Sequence, residues 1–143
     1  MNTPVAEDIR PFNHTGFYQY LAERRLMAAR CATCGEINLP PRALCPRCFG
    51  TNMEWIELSG EGQLEGFTLI HVGLPAMAAE GYNRQNPYCS GVVRLAEGPA
   101  VAAQIVGEDG AIPTTIEVGM PLRVVFFEIG KAENRSIALV FKP

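Results

Sequence analysis

From residue 59 onwards the chain breaks into short apolar runs separated by glycine, proline and acidic turns. GQLEGFTLIHV (Gly62 to Val72), YCSGVVRL (Tyr88 to Leu95), AVAAQIV (Ala100 to Val106), LRVVFFEI (Leu122 to Ile129) and SIALVFK (Ser136 to Lys142) are rich in β-branched and aromatic residues. They read as five strands. Their alternation is loose, as expected where both faces of a strand are partly covered. AEGP at 96–99 and GEDG at 107–110 are turn signals between them. Five strands in about 85 residues fit a small barrel, and the OB-fold is the five-stranded barrel of that size.

Upstream the periodicity changes. Phe17, Tyr20, Leu21 and Arg24 lie at helical spacing in GFYQYLAERR (16–25), with Thr15 placed to cap them. This predicts one short helix whose apolar face is laid against the rest of the protein. Residues 1–14 hold Pro4 and Pro11 with little periodicity and read as an extended arm. The expected organisation is an arm and helix over 1–25, a cysteine-rich module over 26–58 and a barrel over 59–143, mainly β throughout. No repeat or low-complexity tract interrupts it.

The middle module carries the clearest chemistry. Cys31-x-x-Cys34 and Cys45-x-x-Cys48 are separated by ten residues. Each pair can form a knuckle whose two sulfurs converge on one point, and two knuckles complete a tetrahedral site of four thiolates, the donor set of structural zinc; iron in a rubredoxin-like site shares it, though a redox function needs more than this spacing. Catalytic zinc keeps an open position with three protein ligands, so this set predicts a structural ion. Gly35 and Gly50 follow their pairs closely, where the backbone must fold back toward the metal. Pro40, Pro41 and Pro46 stiffen the connecting loop and the second knuckle. Arg24, Arg25, Arg30, Arg42 and Arg47 surround the clamp. The favoured reading is that they offset the thiolate charge and cover the surface; contact with an anionic ligand or a partner is the sharper one. A module of roughly thirty residues cannot bury enough apolar area to fold alone, so the ion acts as its staple.

Composition narrows the function. Apolar residues make up 48% and charged residues 19% of the 143 residues, as in a globular chain with a core. No apolar run is long enough to span a membrane, and the polar N-terminal stretch has no signal-peptide core, so the expectation is a cytoplasmic protein with reduced, metal-binding thiols. The formal charge is −3, and four thiolates on one divalent ion bring it to about −5. The barrel half has nine Asp/Glu against six Lys/Arg. A nucleic-acid binder would carry a basic surplus, so a single-strand-binding OB protein is a secondary reading.

A catalytic centre is hard to find. Cys89 is the unpaired cysteine, and the chain has only His14 and His71 to serve as a base. Neither stands in a recognisable pattern with it, and no nucleophile elbow or phosphate-binding loop occurs. No residue is assigned as catalytic; an acyl-CoA enzyme acting alone through Cys89 or an acid of the barrel is the third reading. LPAMAAEGYNRQNPY (74–88) is long for a hairpin loop and mixes apolar Leu74, Met77 and Tyr82 with Arg84, Gln85 and Asn86. Such a loop either covers one barrel end or lies over an apolar channel with a cation at its edge.

The short helix followed by RCATCG, PPRALCPRC, SGEGQLEGFTLIHV, NPY and VRLAEGP resembles the family of small proteins that join a rubredoxin-like zinc ribbon to an OB-fold, over roughly residues 12–143. The arginine before the first cysteine and the Pro-Pro-Arg before the second pair make the resemblance more specific than the cysteine spacing alone. It implies a non-catalytic accessory or scaffold subunit of a thiolase-superfamily enzyme. The partner carries the nucleophile and base, and the ribbon/OB chain docks on it and helps to form the acyl-CoA site or channel. A thiolase for an aromatic acyl-CoA is one plausible partner, and the dimeric habit of such partners implies a heterotetramer. Arg84, Lys131 and Arg135, cations in expected loops, are the candidates for steering the phosphates of CoA.

Overall fold

The computed structural model describes residues 10–107, 112–113, 115–129 and 136–143. The chain divides into two compact units, one ending at Glu57 and the other beginning at Leu58.

In the first unit, helix α1 spans His14–Ala22. Asn13, not Thr15, caps it: its Oδ1 accepts from the N–H groups of Thr15 at 2.9 Å and Gly16 at 3.3 Å. Both residue types cap well, and an Asn side chain two residues upstream satisfies two orphan N–H groups at once. The helix ends in a Schellman turn. Arg24 adopts φ 59°, its N–H reaches Leu21 O at 2.8 Å, and the Arg25 N–H reaches Tyr20 O at 3.1 Å. Tyr20 and Leu21 form the buried face.

Three strands follow: β1 (Met27–Cys31), β2 (Ile37–Asn38) and β3 (Met53–Glu57), in the antiparallel order β2-β1-β3. Trp55 on β3 gathers the unit together. Its ring stacks on Phe12 at 4.9 Å, meets Tyr20 edge-on at 5.0 Å, and donates its indole N–H to Arg10 O at 3.0 Å. The Arg10 guanidinium lies 4.1 Å over the Tyr20 ring. The described end of the N-terminal arm is therefore packed on this unit. Besides cysteine, the buried apolar side chains among its described residues are Tyr20, Leu21, Leu26, Met27, Ala28 and Ala29, a small core for about fifty residues.

The second unit is a closed barrel of β4 (Glu61–Ile70), β5 (Tyr88–Leu95), β6 (Ala100–Ile105), β7 (Pro121–Ile129) and β8 (Ser136–Lys142), in the order β4-β5-β6-β8-β7. These are the five strands predicted from the apolar runs, and the arrangement is an OB-type barrel. All neighbours are antiparallel except β6 and β8, which pair in parallel at Gln104↔Val140 and Ile105↔Phe141. β4 closes the ring on β7 through residues 61–63. A register shift between Leu64 and Gly66 bends β4, as a bulge does in small barrels. Inward residues of β5 alternate strictly: Cys89, Gly91, Val93 and Leu95 are buried. Gly91 is required there, since a Cβ would stand 2.9 Å from both Ile105 Cγ1 and Leu64 Cδ1. Leu64, Ile105, Val106, Leu122, Val140 and Phe141 complete the core.

The 74–88 segment is not a plain loop. It opens with the short helix α2 (Pro75–Ala79), then turns through Asn83, whose Oδ1 accepts from the N–H groups of Gln85 at 2.9 Å and Asn86 at 3.0 Å. No helix among the described residues is long and apolar enough to cross a membrane.

Candidate metal centre and barrel cavity

The two knuckles share one backbone design. Cys31 N–H donates to Glu36 O at 2.8 Å and Gly35 N–H to Cys31 O at 2.8 Å; Cys45 N–H donates to Gly50 O at 2.9 Å and Phe49 N–H to Cys45 O at 2.8 Å. The residue after each second cysteine is left-handed: Gly35 at φ 83° and Phe49 at φ 62°. The role expected of Gly50 therefore falls one residue earlier, on Phe49, because the turn closes at the same offset in both knuckles.

These turns bring Cys31, Cys34, Cys45 and Cys48 together, with all four Sγ atoms within 4.8 Å of one another. Cys31 Sγ lies 3.5 Å from Cys48 Sγ, and Cys34 Sγ lies 3.6 Å from Cys45 Sγ. Four sulfurs bound tetrahedrally at about 2.3 Å from one zinc stand ~3.8 Å apart, so the cage fits that ion. Its electrostatics favour two of the thiolates, Cys31 and Cys45, and oppose the other two, Cys34 and Cys48. The backbone N–H of Cys34, and then that of Thr33, lowers the Cys31 thiol to about 6 against the opposing effect of burial. The N–H groups of Cys48 and Arg47 lower Cys45 in the same way. At Cys34 the Glu36 N–H also lowers the thiol, but burial and the three neighbouring sulfurs outweigh it and push the group up to about 12. A divalent ion removes that crowding. When bound, it supplies a cross-link between the two knuckles, and four thiolates leave it no open position.

The arginines around the cage pair chiefly with carboxylates. Arg30 forks onto Glu54, its cross-strand neighbour, and Arg25 reaches Glu57 at 3.3 Å. Arg47 approaches Glu36 only to 3.8 Å. Arg42 is exposed.

The barrel has a cavity of about 250 Å³ beneath the 74–88 segment, lined among others by Tyr82, Asn86, Tyr88, Cys89, Gln104 and Ile105. Tyr82 and Tyr88 meet edge to face at 5.3 Å, and Gln104 donates to the Tyr82 hydroxyl at 2.9 Å. Cys89 is buried in its floor, and burial holds its thiol above the ordinary range. His14 and His71 are exposed, and neither lines the cavity. Of the three cations expected near CoA, Arg84 is exposed on the Asn83 turn, and Lys131 and Arg135 lie outside the described residues. Tyr82 and Asn86 were noted in the sequence; Tyr88, Gln104 and Ile105 join them only through the β5–β6 pairing, which places Ser90 opposite Gln104.

A closed four-thiolate ribbon followed by a five-stranded OB-type barrel defines the class of protein. Residues 19–54 match the ChsH2 rubredoxin-like zinc ribbon domain and residues 55–127 the ChsH2 C-terminal OB-fold domain. The chain belongs to this ChsH2-type zinc-ribbon/OB-fold family. It is similar to a DUF35 domain-containing scaffold protein of Methanocaldococcus jannaschii, 32% identical over 114 residues, covering 78% of this chain and 75% of the relative. It is also similar to the benzoylsuccinyl-CoA thiolase subunit BbsA of Thauera aromatica, 30% identical over 100 residues, covering 70% of this chain and 65% of that subunit. Among solved structures, a chain of the Ltp2-ChsH2(DUF35) aldolase superposes with a TM-score of 0.74 at 28% identity, covering 94% of this chain and 98% of the other.

Proposed function

We propose that this chain is a non-catalytic accessory subunit that docks on a thiolase-superfamily enzyme and contributes one wall of its acyl-CoA channel. The observation that carries the reading is the cavity. At about 250 Å³ it falls below the ~300–1,000 Å³ of self-sufficient ligand sites, and among the described residues the titratable side chains lining it are Glu80, Tyr82, Tyr88 and Cys89, whose thiol burial pushes up. Such a pocket takes part of a ligand and needs chemistry from elsewhere. The similarity to BbsA and to a chain of the Ltp2-ChsH2 aldolase supports an acyl-CoA enzyme as the source of that chemistry. In this reading the ion in the ribbon is structural, the partner is a dimer bearing two copies of this chain, and the complex is cytoplasmic.

Arg84, Lys131 and Arg135 are proposed to steer the CoA phosphates. Alanine at each position should weaken CoA binding by the assembled complex, and unchanged affinity in all three variants would remove this part of the proposal. The wider reading is tested by purifying the tagged chain from its source cells under mild salt. A thiolase-superfamily protein in stoichiometric amount, whose acyl-CoA turnover collapses when this chain is left out, is the expected result. Recovery of the chain alone, or turnover indifferent to it, would sink the reading.

A further inference from the structure

The two knuckles are near-copies in backbone hydrogen bonding, yet the left-handed position holds glycine in one and phenylalanine in the other. A bulky L residue is disfavoured at φ 62° by contact of its Cβ with the backbone, and Gly35 shows what the turn itself prefers. Among the described residues no ring contact is made by Phe49; only its backbone N–H is held, by Cys45 O. Phe49 is 73% exposed, and Leu44, just before the first cysteine of the same knuckle, is 49% exposed. Strain kept at an exposed aromatic residue points outside the chain.

We infer that Phe49 is the anchor by which the ribbon engages its partner, entering an apolar slot on the partner subunit whose rim carries carboxylates. The charge around it fits that surface. Residues 37–53 contain Arg42 and Arg47 and no Asp or Glu, in a chain whose formal charge is −3. Arg47 stands 3.8 Å from Glu36, too far for a paired fork, so its guanidinium donors remain available for a partner's carboxylate. Phenylalanine and arginine are both enriched at protein–protein interfaces relative to the rest of the surface. The Phe49 N–H bond to Cys45 O and the metal cage hold the backbone of this turn, so the loop that carries the ring need not reorganise on docking.

The inference rests on the accessory reading above and is tested on the complex of the zinc-loaded chain with its thiolase-superfamily subunit, by titration calorimetry. Phe49→Ala and Phe49→Gly should each weaken association by about 30-fold or more while keeping one zinc per chain. Phe49→Gly should also unfold at a higher temperature than the native chain, which separates lost docking from lost folding. Arg42→Glu combined with Arg47→Glu should weaken association further at low salt than at high salt. Native-like affinity in both Phe49 variants would overturn the anchor and leave the accessory reading standing. Native-like affinity in the charge-reversed variant would overturn the carboxylate rim. Self-association of the chain that vanishes in Phe49→Ala would overturn the assignment to a partner. Failure of the native chain to bind the subunit would overturn both readings.

Discussion

Removing the metal should unfold the first unit and leave the barrel intact. A compact unit of about fifty residues has a stability of roughly 2–7 kcal/mol, whereas binding of structural zinc contributes about 10–16 kcal/mol to such modules. The first unit's own core of Tyr20, Leu21, Leu26, Met27 and two alanines is too small to make up the difference. Once the ion is gone, thiolates 3.5–3.6 Å apart repel by about 1 kcal/mol per pair even at the dielectric of water, so the cage must take up protons or open. The molecule contains its own reporter. Trp55 is the sole tryptophan and lies in the first unit, stacked on Phe12 and touching Tyr20. Titration with a strong chelator under reducing conditions should release one zinc per chain, shift Trp55 emission to the red and abolish amide protection in β1 and β3. Protection in β4, β5 and β6 should persist, because their core draws on Leu64, Val93 and Ile105 and no metal. Unchanged Trp55 emission after complete zinc release would refute the reasoning.

Other outcomes follow from the same geometry. Acid should strip the metal, because each cysteine must give up a proton to bind it, Cys34 from a thiol pushed up to about 12 and Cys31 from one lowered to about 6. Zinc retention measured across pH 8 to 5 should therefore fall, and retention at pH 5 equal to that at pH 8 would contradict this. Phe49→Gly should raise the stability of the first unit by about 0.5–1 kcal/mol, the relief of about 1–2 kcal/mol of left-handed strain being partly offset by the greater freedom of glycine in the unfolded chain. Gly91→Val should lower barrel stability by about 1–3 kcal/mol, since the added carbons meet Ile105 and Leu64 at 2.9 Å; urea unfolding checks it. Cys89 should resist alkylation in the folded protein at pH 8 and react on denaturation, as mass spectrometry of iodoacetamide-treated samples would show.

The barrel was legible in the chain because each strand is a short run bounded by turn residues, and the metal cage because cysteine spacing fixes knuckle geometry. What escaped depends on long-range packing or on exceptions to a local rule. The helix start moved to Asn13, where the incoming arm packs with Phe12 against Trp55, a contact between residues 43 positions apart. The helix ends on a left-handed Arg24, so no glycine marks its terminus. The short helix Pro75–Ala79 lay within a stretch read as loop, where Pro at the first helical position and three alanines were the available signal. Gly50 reads as the flexible residue of the second knuckle, whereas aligning CATCGE with CPRCFG places Phe49 at the position of Gly35.

The parallel pairing of β6 with β8 has a consequence for biosynthesis. Because β8 lies between β6 and β7, no closed barrel exists until residues 136–142 have left the ribosome. The ribbon, complete by Glu57, meets no such delay and can take up its metal while the strands behind it are still being made. Until β8 arrives, β6 and β7 each present a bare edge to other nascent chains, so this short strand acts as a cap against mispairing as well as a stave of the barrel.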